Sequence, residues 1–254
     1  MNDDMKSLLD NEDLNGKIFF PVTYEMENSY PVRVDDTCTL HCKYICYPGV
    51  KRAVVIFYGN GECAESYAES ELVEEITRAG SWNCFIAEYR GYGMSTGRLN
   101  IVNVLSDAGK VMEAVAQEGN GKIVVFGRSL GGFSAIQSIS CCPGVSGVIL
   151  ESAYSCLSDF IAKRWPLTNN EKQGLDDFFN YPEKVKDYHN PVLLIHGLRD
   201  TLVPFRHCTA LHQLFEGRSE RVIMFSARGG HNNVFQMNSE SYLGHVRRFL
   251  RFVG

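Results

Sequence analysis

The run Gly127-Arg128-Ser129-Leu130-Gly131 lies between an apolar stretch, Lys122 to Phe126, and a helix-forming stretch from Gly132 to Cys141. It therefore reads as a strand, a tight turn and a helix, with a serine at the apex of the turn. A chain with 23 glycines meets a G-x-S-x-G pattern easily, so its position between strand and helix carries the information. A serine held in a strained turn at a strand end presents its hydroxyl outward. Glycines on either side, lacking Cβ, let the strand and helix come close enough to hold it there. A helix-capping serine in an ordinary strand-to-helix turn is the competing reading of this segment taken alone.

A serine hydroxyl is a weak nucleophile near neutral pH; it needs a base, and the base needs an orienting acid. Further along, the buried-strand pattern Pro191 to His196 and Gly197 leads at once to Leu198-Arg199-Asp200. The next apolar run, Arg221 to Phe225, leads through Ala227 and Gly229-Gly230 to His231. Ser129, Asp200 and His231 thus stand in order at the carboxyl ends of three strands, which is far more specific than the serine motif alone. Asp200 also fits a turn before Pro204, and His231 a surface loop. The other histidines compete poorly. His41 falls within a strand, His189 precedes Asn190-Pro191, and His207, His212 and His245 fall on helical patterns. His196 is too close to Asp200 along the chain. Acyl transfer further requires donors aimed at the developing oxyanion. The backbone N–H of Leu130 supplies one. The loop Tyr58-Gly59-Asn60-Gly61, after the apolar strand Ala53 to Phe57, supplies the other through Asn60, with Gly61 as the alternative.

From about Ala53 to about Phe252 the chain resembles the α/β-hydrolase superfamily, most closely its small ABHD-type serine hydrolases, the depalmitoylase and bud-emergence-like group. The likeness is carried by Phe57 to Gly61, Glu88 to Ser95, Phe126 to Gly132, Ile149 to Ser152, Ile195 to Asp200 and Gly230 to Asn232. The resemblance implies Ser129 as nucleophile, Asp200 as acid and His231 as base, with the amides of Asn60 and Leu130 as the oxyanion hole. One position departs: the family usually has histidine before the glycine of the oxyanion loop, and here it is Tyr58. That histidine braces the loop, so the departure bears on oxyanion geometry and leaves the triad untouched.

The alternation of strand and helix patterns over 254 residues, 44% of them hydrophobic, predicts an α/β fold with one large core. The resemblance implies the α/β-hydrolase fold, a mostly parallel eight-stranded sheet covered by helices on both faces, with a short cap. Strands are expected over 31–35, 38–46, 53–58, 84–89, 122–126, 146–151, 191–196 and 221–226. Helices are expected over 64–79, 100–117, 130–141, 204–216 and 237–252. Residues 1–16, rich in Asp and Glu, are expected to be disordered, leaving 17–254 as a single domain. They lack a basic start followed by an apolar core, so no secretory leader is expected. No apolar run is long enough to span a bilayer. A net charge of −5 without a basic block argues against nucleic acid as a partner. Nine cysteines, an odd number, favour reduced thiols and a cytoplasmic setting. Cys38, Cys42 and Cys46 share a strand face with Leu40 and Tyr44, which reads as a buried face and not a metal site. Neither metal nor cofactor is required by the chemistry.

The segment 153–190, between the sixth and seventh strands, is where this fold inserts its cap. Phe160, Ile161, Trp165, Leu167, Phe178 and Phe179 lie in it. They form either an acyl-binding lip or the inward faces of two short helices, the commoner use of such aromatics. Tyr58, Phe160 and Trp165 are the candidate substrate contacts. Glu151, at the end of the sixth strand, is the alternative acid. The expected activity is hydrolysis of a carboxylic ester or thioester through an acyl-enzyme, the acyl group being carried by a protein or a lipid. The alternative is a non-catalytic receptor or scaffold on the same fold. Dehalogenases and epoxide hydrolases are disfavoured because they place aspartate where Ser129 stands.

Overall fold

The computed structural model describes residues 3–254. Eight strands form one sheet: β1 Tyr30–Arg33, β2 Thr39–Ile45, β3 Arg52–Phe57, β4 Asn83–Ile86, β5 Lys122–Arg128, β6 Val145–Glu151, β7 Val192–Gly197 and β8 Val222–Ala227. Their spatial order is β1-β2-β4-β3-β5-β6-β7-β8. The β1–β2 and β2–β4 pairs are antiparallel and the remaining neighbours are parallel. Every expected strand is present. The fourth stops at Ile86, short of Tyr89. There Ala87 N–H makes a last bond to Ile56 O, and the Glu88 carboxylate then takes the Tyr89 amide.

Helices α1 Asp3–Leu9 and α2 Glu12–Ile18 precede the sheet, followed by α3 Ala64–Ala68, α4 Glu71–Thr77, α5 Ile101–Gln117 and α6 Gly131–Cys141. The cap holds α7 Leu157–Ala162, α8 Asn169–Phe179 and α9 Tyr181–Val185; α10 Arg206–Phe215 and α11 Val234–Val253 complete the chain. Ile123 to Gly127 of β5 are buried without alternation, as a strand covered on both faces must be. One helix expected over 64–79 is two. Ser70 interrupts it, its hydroxyl accepting the Val73 amide as the cap of α4. The final helix starts earlier than expected, and kinks at Asn238, whose side-chain amide donates to the carbonyls of Arg228 and Val234.

The acidic N-terminus departs from expectation. Instead of being disordered, it is helical from Asp3 onward, residues 1–2 lying outside the described residues. Met5, Leu9, Leu14 and Ile18 are buried against the core. Asn11 caps α2 through Leu14 N–H, and Glu12 and Asp13 occupy its first turn, where negative charge suits the helix dipole. The acidic residues that read as disorder are thus the favourable charges of a helix start, and the apolar ones between them do the anchoring.

The close packing of α6 on β3 and β5 sets the position of the site. A Cβ on Gly131 would overlap the Phe57 carbonyl, and one on Gly127 would come within 2.6 Å of the Ala135 Cβ. Gly131→Ala is therefore expected to lower stability by more than about 4 kcal/mol in urea denaturation, or to prevent folding. Gly16, inside α2 with nothing near its missing Cβ, is the control. Gly16→Ala should raise stability by about 0.5–1 kcal/mol, because it removes a helix-interior glycine without a clash.

Candidate active site

Ser129 sits between β5 and α6 with φ of +50°, a left-handed backbone that a non-glycine residue adopts only when its surroundings enforce it. Its N–H donates to Glu151 O at 2.9 Å and its carbonyl accepts Gly132 N–H at 3.1 Å, so the turn is clamped from both sides. Its hydroxyl lies 3.0 Å from Nε2 of His231, and Nδ1 of that ring lies 2.8 Å from Asp200 Oδ2. All three residues are buried, with exposures of 6% for Ser129, 6% for Asp200 and 8% for His231.

The loops that bring the acid and the imidazole together are closely packed. A Cβ on Gly197, the last residue of β7, would approach Gly229 O to 2.6 Å, and Gly229 itself has φ of +110°. The bond from Arg199 N–H to Gly229 O joins the two loops. Asp200 Oδ1 accepts the amides of Leu202 and Val203 at 2.9 and 2.7 Å, leaving Oδ2 for His231. Burial alone pushes the Asp200 carboxyl up. The His231 bond and charge, the Val203 amide and His196 together outweigh burial and hold it below the ordinary aspartate value. An ionised Asp200 accepts, so Nδ1 of His231 donates and Nε2 is left to receive the serine proton. Glu151, the alternative acid, is committed elsewhere: Oε1 to Arg128 at 3.2 Å and Oε2 to the Tyr242 hydroxyl at 2.5 Å. His196 is tied to Val203 O at 2.8 Å, and burial pushes its imidazole below the usual value.

The Asn60 and Leu130 amides have no protein acceptor among the described residues. The Asn60 side chain fixes its loop to the N-terminal segment. Oδ1 accepts from Phe20 N–H (3.0 Å) and the Tyr92 hydroxyl (2.8 Å), and Nδ2 donates to Ile18 O at 2.6 Å. Arg128 braces the loop from the other side, its side chain 11% exposed. The guanidinium pairs with Glu62 and Glu151 and donates to His231 O at 2.9 Å and Asn232 Oδ1 at 3.2 Å. Glu62 in turn accepts Gly59 N–H. One cation therefore ties the nucleophile turn, the oxyanion loop, the end of β6 and the histidine loop. Nothing in the sequence pattern marked this, because Arg128 is one of the unspecified positions of the motif.

A cavity of about 310 Å³ opens beside Ser129, with Phe20, Tyr154, Phe160 and Leu202 as apolar wall and Asn60 and His231 at its base. Phe160, expected as a substrate contact, is in that wall while its ring packs on Phe133 and Tyr154. Trp165 is not. It lies half-buried under Lys17, whose ammonium is 4.8 Å from the ring. Tyr58 is not in the wall either. It is fully buried among Tyr67, Tyr89 and Tyr92, and its carbonyl accepts the Tyr89 hydroxyl. Its own hydroxyl has no partner among the described residues. Phe20 and Tyr154 were not foreseen; Phe20 arrives only because the N-terminal segment crosses the site.

A second cluster, Cys156, Asp159 and His207, brings three ligand types within 4.8 Å of one another. The Ser155 N–H donates to Nδ1 of His207 at 3.2 Å, which places the ring proton on Nε2. That nitrogen faces Asp159 at 3.3 Å, without the alignment of a hydrogen bond. Burial keeps the imidazole neutral, pushing it down to about 4. With its proton on Nε2, the ring is not set to ligate a metal there, and the cluster links α7 to α10.

A family model described as serine aminopeptidase, S33, matches residues 48–169. The alpha/beta hydrolase domain-containing protein WAV2 of Arabidopsis thaliana is 24% identical over 89% of this chain and 83% of its own length. The alpha/beta hydrolase domain-containing protein 17C of Xenopus tropicalis is also 24% identical, over 87% of this chain and 68% of its own. Among solved structures, an esterase from Pyrococcus furiosus superposes with a TM-score of 0.75 at 18% identity, covering 92% of this chain and 98% of the esterase.

Two outcomes follow from the packing around the site. Tyr58→Phe removes a buried hydroxyl that has no partner among the described residues and should raise stability by about 1 kcal/mol in thermal unfolding. Arg128→Met leaves two carboxylates without their cation and should lower stability by about 3–5 kcal/mol. Adding Glu62→Gln to it should recover part of that loss.

Proposed function

We propose that this chain, similar over residues 48–169 to the serine aminopeptidase S33 model and along most of its length to two alpha/beta hydrolase domain-containing proteins, is an ABHD-type α/β-hydrolase and a serine hydrolase of carboxylic esters or thioesters. The observation that carries this reading is one imidazole bridging Ser129 Oγ at 3.0 Å and Asp200 Oδ2 at 2.8 Å. In the proposed reaction Ser129 Oγ attacks the acyl carbon and its proton passes to Nε2 of His231. Asp200 stays ionised and stabilises the imidazolium. The amides of Asn60 and Leu130 receive the oxyanion. Collapse of the tetrahedral intermediate expels the alcohol or thiol, which takes the proton from His231. Water, deprotonated by the same imidazole, then attacks the acyl-enzyme and releases the acid. No metal or cofactor takes part.

The apolar wall beside Ser129 supports an acyl group as the bound half of the substrate. An acylated protein or lipid is the substrate class that the resemblance to the small ABHD-type hydrolases implies. The odd count of nine cysteines supports a reducing, cytoplasmic setting.

A fluorophosphonate probe and a series of p-nitrophenyl esters and acyl thioesters of graded length test the reading. Labelling is expected in the wild type and absent in Ser129→Ala. Ser129→Ala and His231→Ala should each lower kcat by on the order of 10⁵–10⁶, and the double variant scarcely further, because the residues act as a unit. Asp200→Asn should cost about 10⁴. A folded wild type that neither labels nor hydrolyses any ester would return the protein to the scaffold reading.

A further inference from the structure

Arg164 is the charged residue of the Ser129 cavity that has no counter-charge among the described residues. Within that cavity Glu62 is paired with Arg128, and His231 with Asp200. Arg164 instead stacks on Phe20, its guanidinium carbon 4.8 Å from the ring centre. The contact holds the cation over an apolar wall and leaves its N–H groups free. Asp159, the acid carried by α7, is taken by Arg206 at 2.8 Å and faces His207. Two more cations belong to residues outside the cavity lining. Lys163 Nζ reaches the Thr201 carbonyl at 3.4 Å, beside the cavity residue Leu202, and Lys17 lies over Trp165. Neither makes an ion pair among the described residues. In a chain whose net charge is −5, Arg164 thus gives this cavity a positive charge that no acid among the described residues answers.

A basic residue after a helix also suits the helix dipole, and Lys163 and Arg164 follow α7. That accounts for charge near the helix end; it does not account for a guanidinium in the cavity wall with no acid beside it. A planar guanidinium with free donors is suited to carboxylate or phosphate oxygens. We propose that Arg164 binds an anionic group, a carboxylate or a phosphate, carried by the ester or thioester whose carbonyl lies at Ser129. The inference rests on the serine-hydrolase reading and narrows its substrate class to acyl compounds bearing a negative charge near the scissile bond. Because the cation is at a solvent-facing mouth, its effect is modest and screened by salt.

Three chromogenic esters test it: neutral p-nitrophenyl butyrate, mono-p-nitrophenyl succinate with the anion on the acyl side, and 4-butyryloxy-3-nitrobenzoate with the anion on the leaving group. For each, kcat/KM is taken after subtraction of the spontaneous hydrolysis, which in the succinate includes attack by its own carboxylate. The wild type is expected to favour at least one anionic ester over the neutral one by roughly tenfold at low ionic strength. That ratio should fall toward one at about 0.5 M salt and in Arg164→Gln, and persist in Arg164→Lys. Which ester shows the preference identifies the side of the carbonyl that Arg164 serves. Equal or better use of the neutral ester by the wild type overturns the inference, as does a preference that survives in Arg164→Gln. If neutral hydrolysis proceeds normally in either case, the serine-hydrolase reading stands alone. Failure to hydrolyse all three, with no fluorophosphonate labelling, overturns both.

Discussion

The first turn of α6 lies so close to the end of β3 that no side chain fits between them at Gly131, whose position is pressed against the Phe57 carbonyl. That approach, together with the parallel pairing of Phe57 with Gly127, levels the ends of β3 and β5. It brings the Leu130 amide alongside the loop that carries Asn60. The same turn forces Ser129 to a φ of +50° and turns its hydroxyl toward His231. The positions of the proposed nucleophile and of the two amides proposed as oxyanion donors are therefore consequences of one steric constraint, which explains why glycine is needed at that place and not merely near it.

Electrostatics then decides how these parts are held. The charges around the site are buried in pairs, and burial is tolerable because each charge is answered. Asp200 spends one oxygen on two backbone amides and the other on His231, an arrangement that keeps it ionised inside the protein. Arg128 lies between Glu62 and Glu151 and reaches the carbonyl of His231, so the loops of three different strands share one cation. The bracing of the oxyanion loop thus comes from Glu62 accepting Gly59 N–H and from the Asn60 side chain, while Tyr58 packs in an aromatic cluster below. The N-terminal segment belongs to this construction: Ile18 and Phe20 hold Asn60, and the Phe20 ring forms part of the cavity wall.

Strands were readable because a sheet covered on both faces needs unbroken apolar runs, and each run here ends in a turn or loop signal. Helix boundaries were less readable. Ser70 breaks one expected helix by capping the next, and Asn238 kinks the last by bonding carbonyls that only the fold brings near. The N-terminus was misread because its charge density resembles that of a disordered tail. Its few apolar residues have value only against a core contributed by distant parts of the chain.

Ser129, Asp200 and His231 were legible because each stands at a strand end, and strand order with residue type is a local, one-dimensional signal. The Leu130 and Asn60 amides, proposed as oxyanion donors, were named from the same signal. Arg128, Phe20, Tyr154 and Arg164 were not, since their roles arise from contacts between segments far apart in sequence. Glu62 and Arg128 are separated by 66 positions, and Arg128 and His231 by 103. Tyr58 and Trp165 had the right composition for a binding wall, yet burial among other aromatics and packing under Lys17 took them out of it. The sequence by itself determined the order of strands and helices and the identity of the groups proposed to react, because local sterics and periodicity are written along the chain. Tertiary structure alone decided which charges find partners, and that Arg164 lines the cavity with none among the described residues.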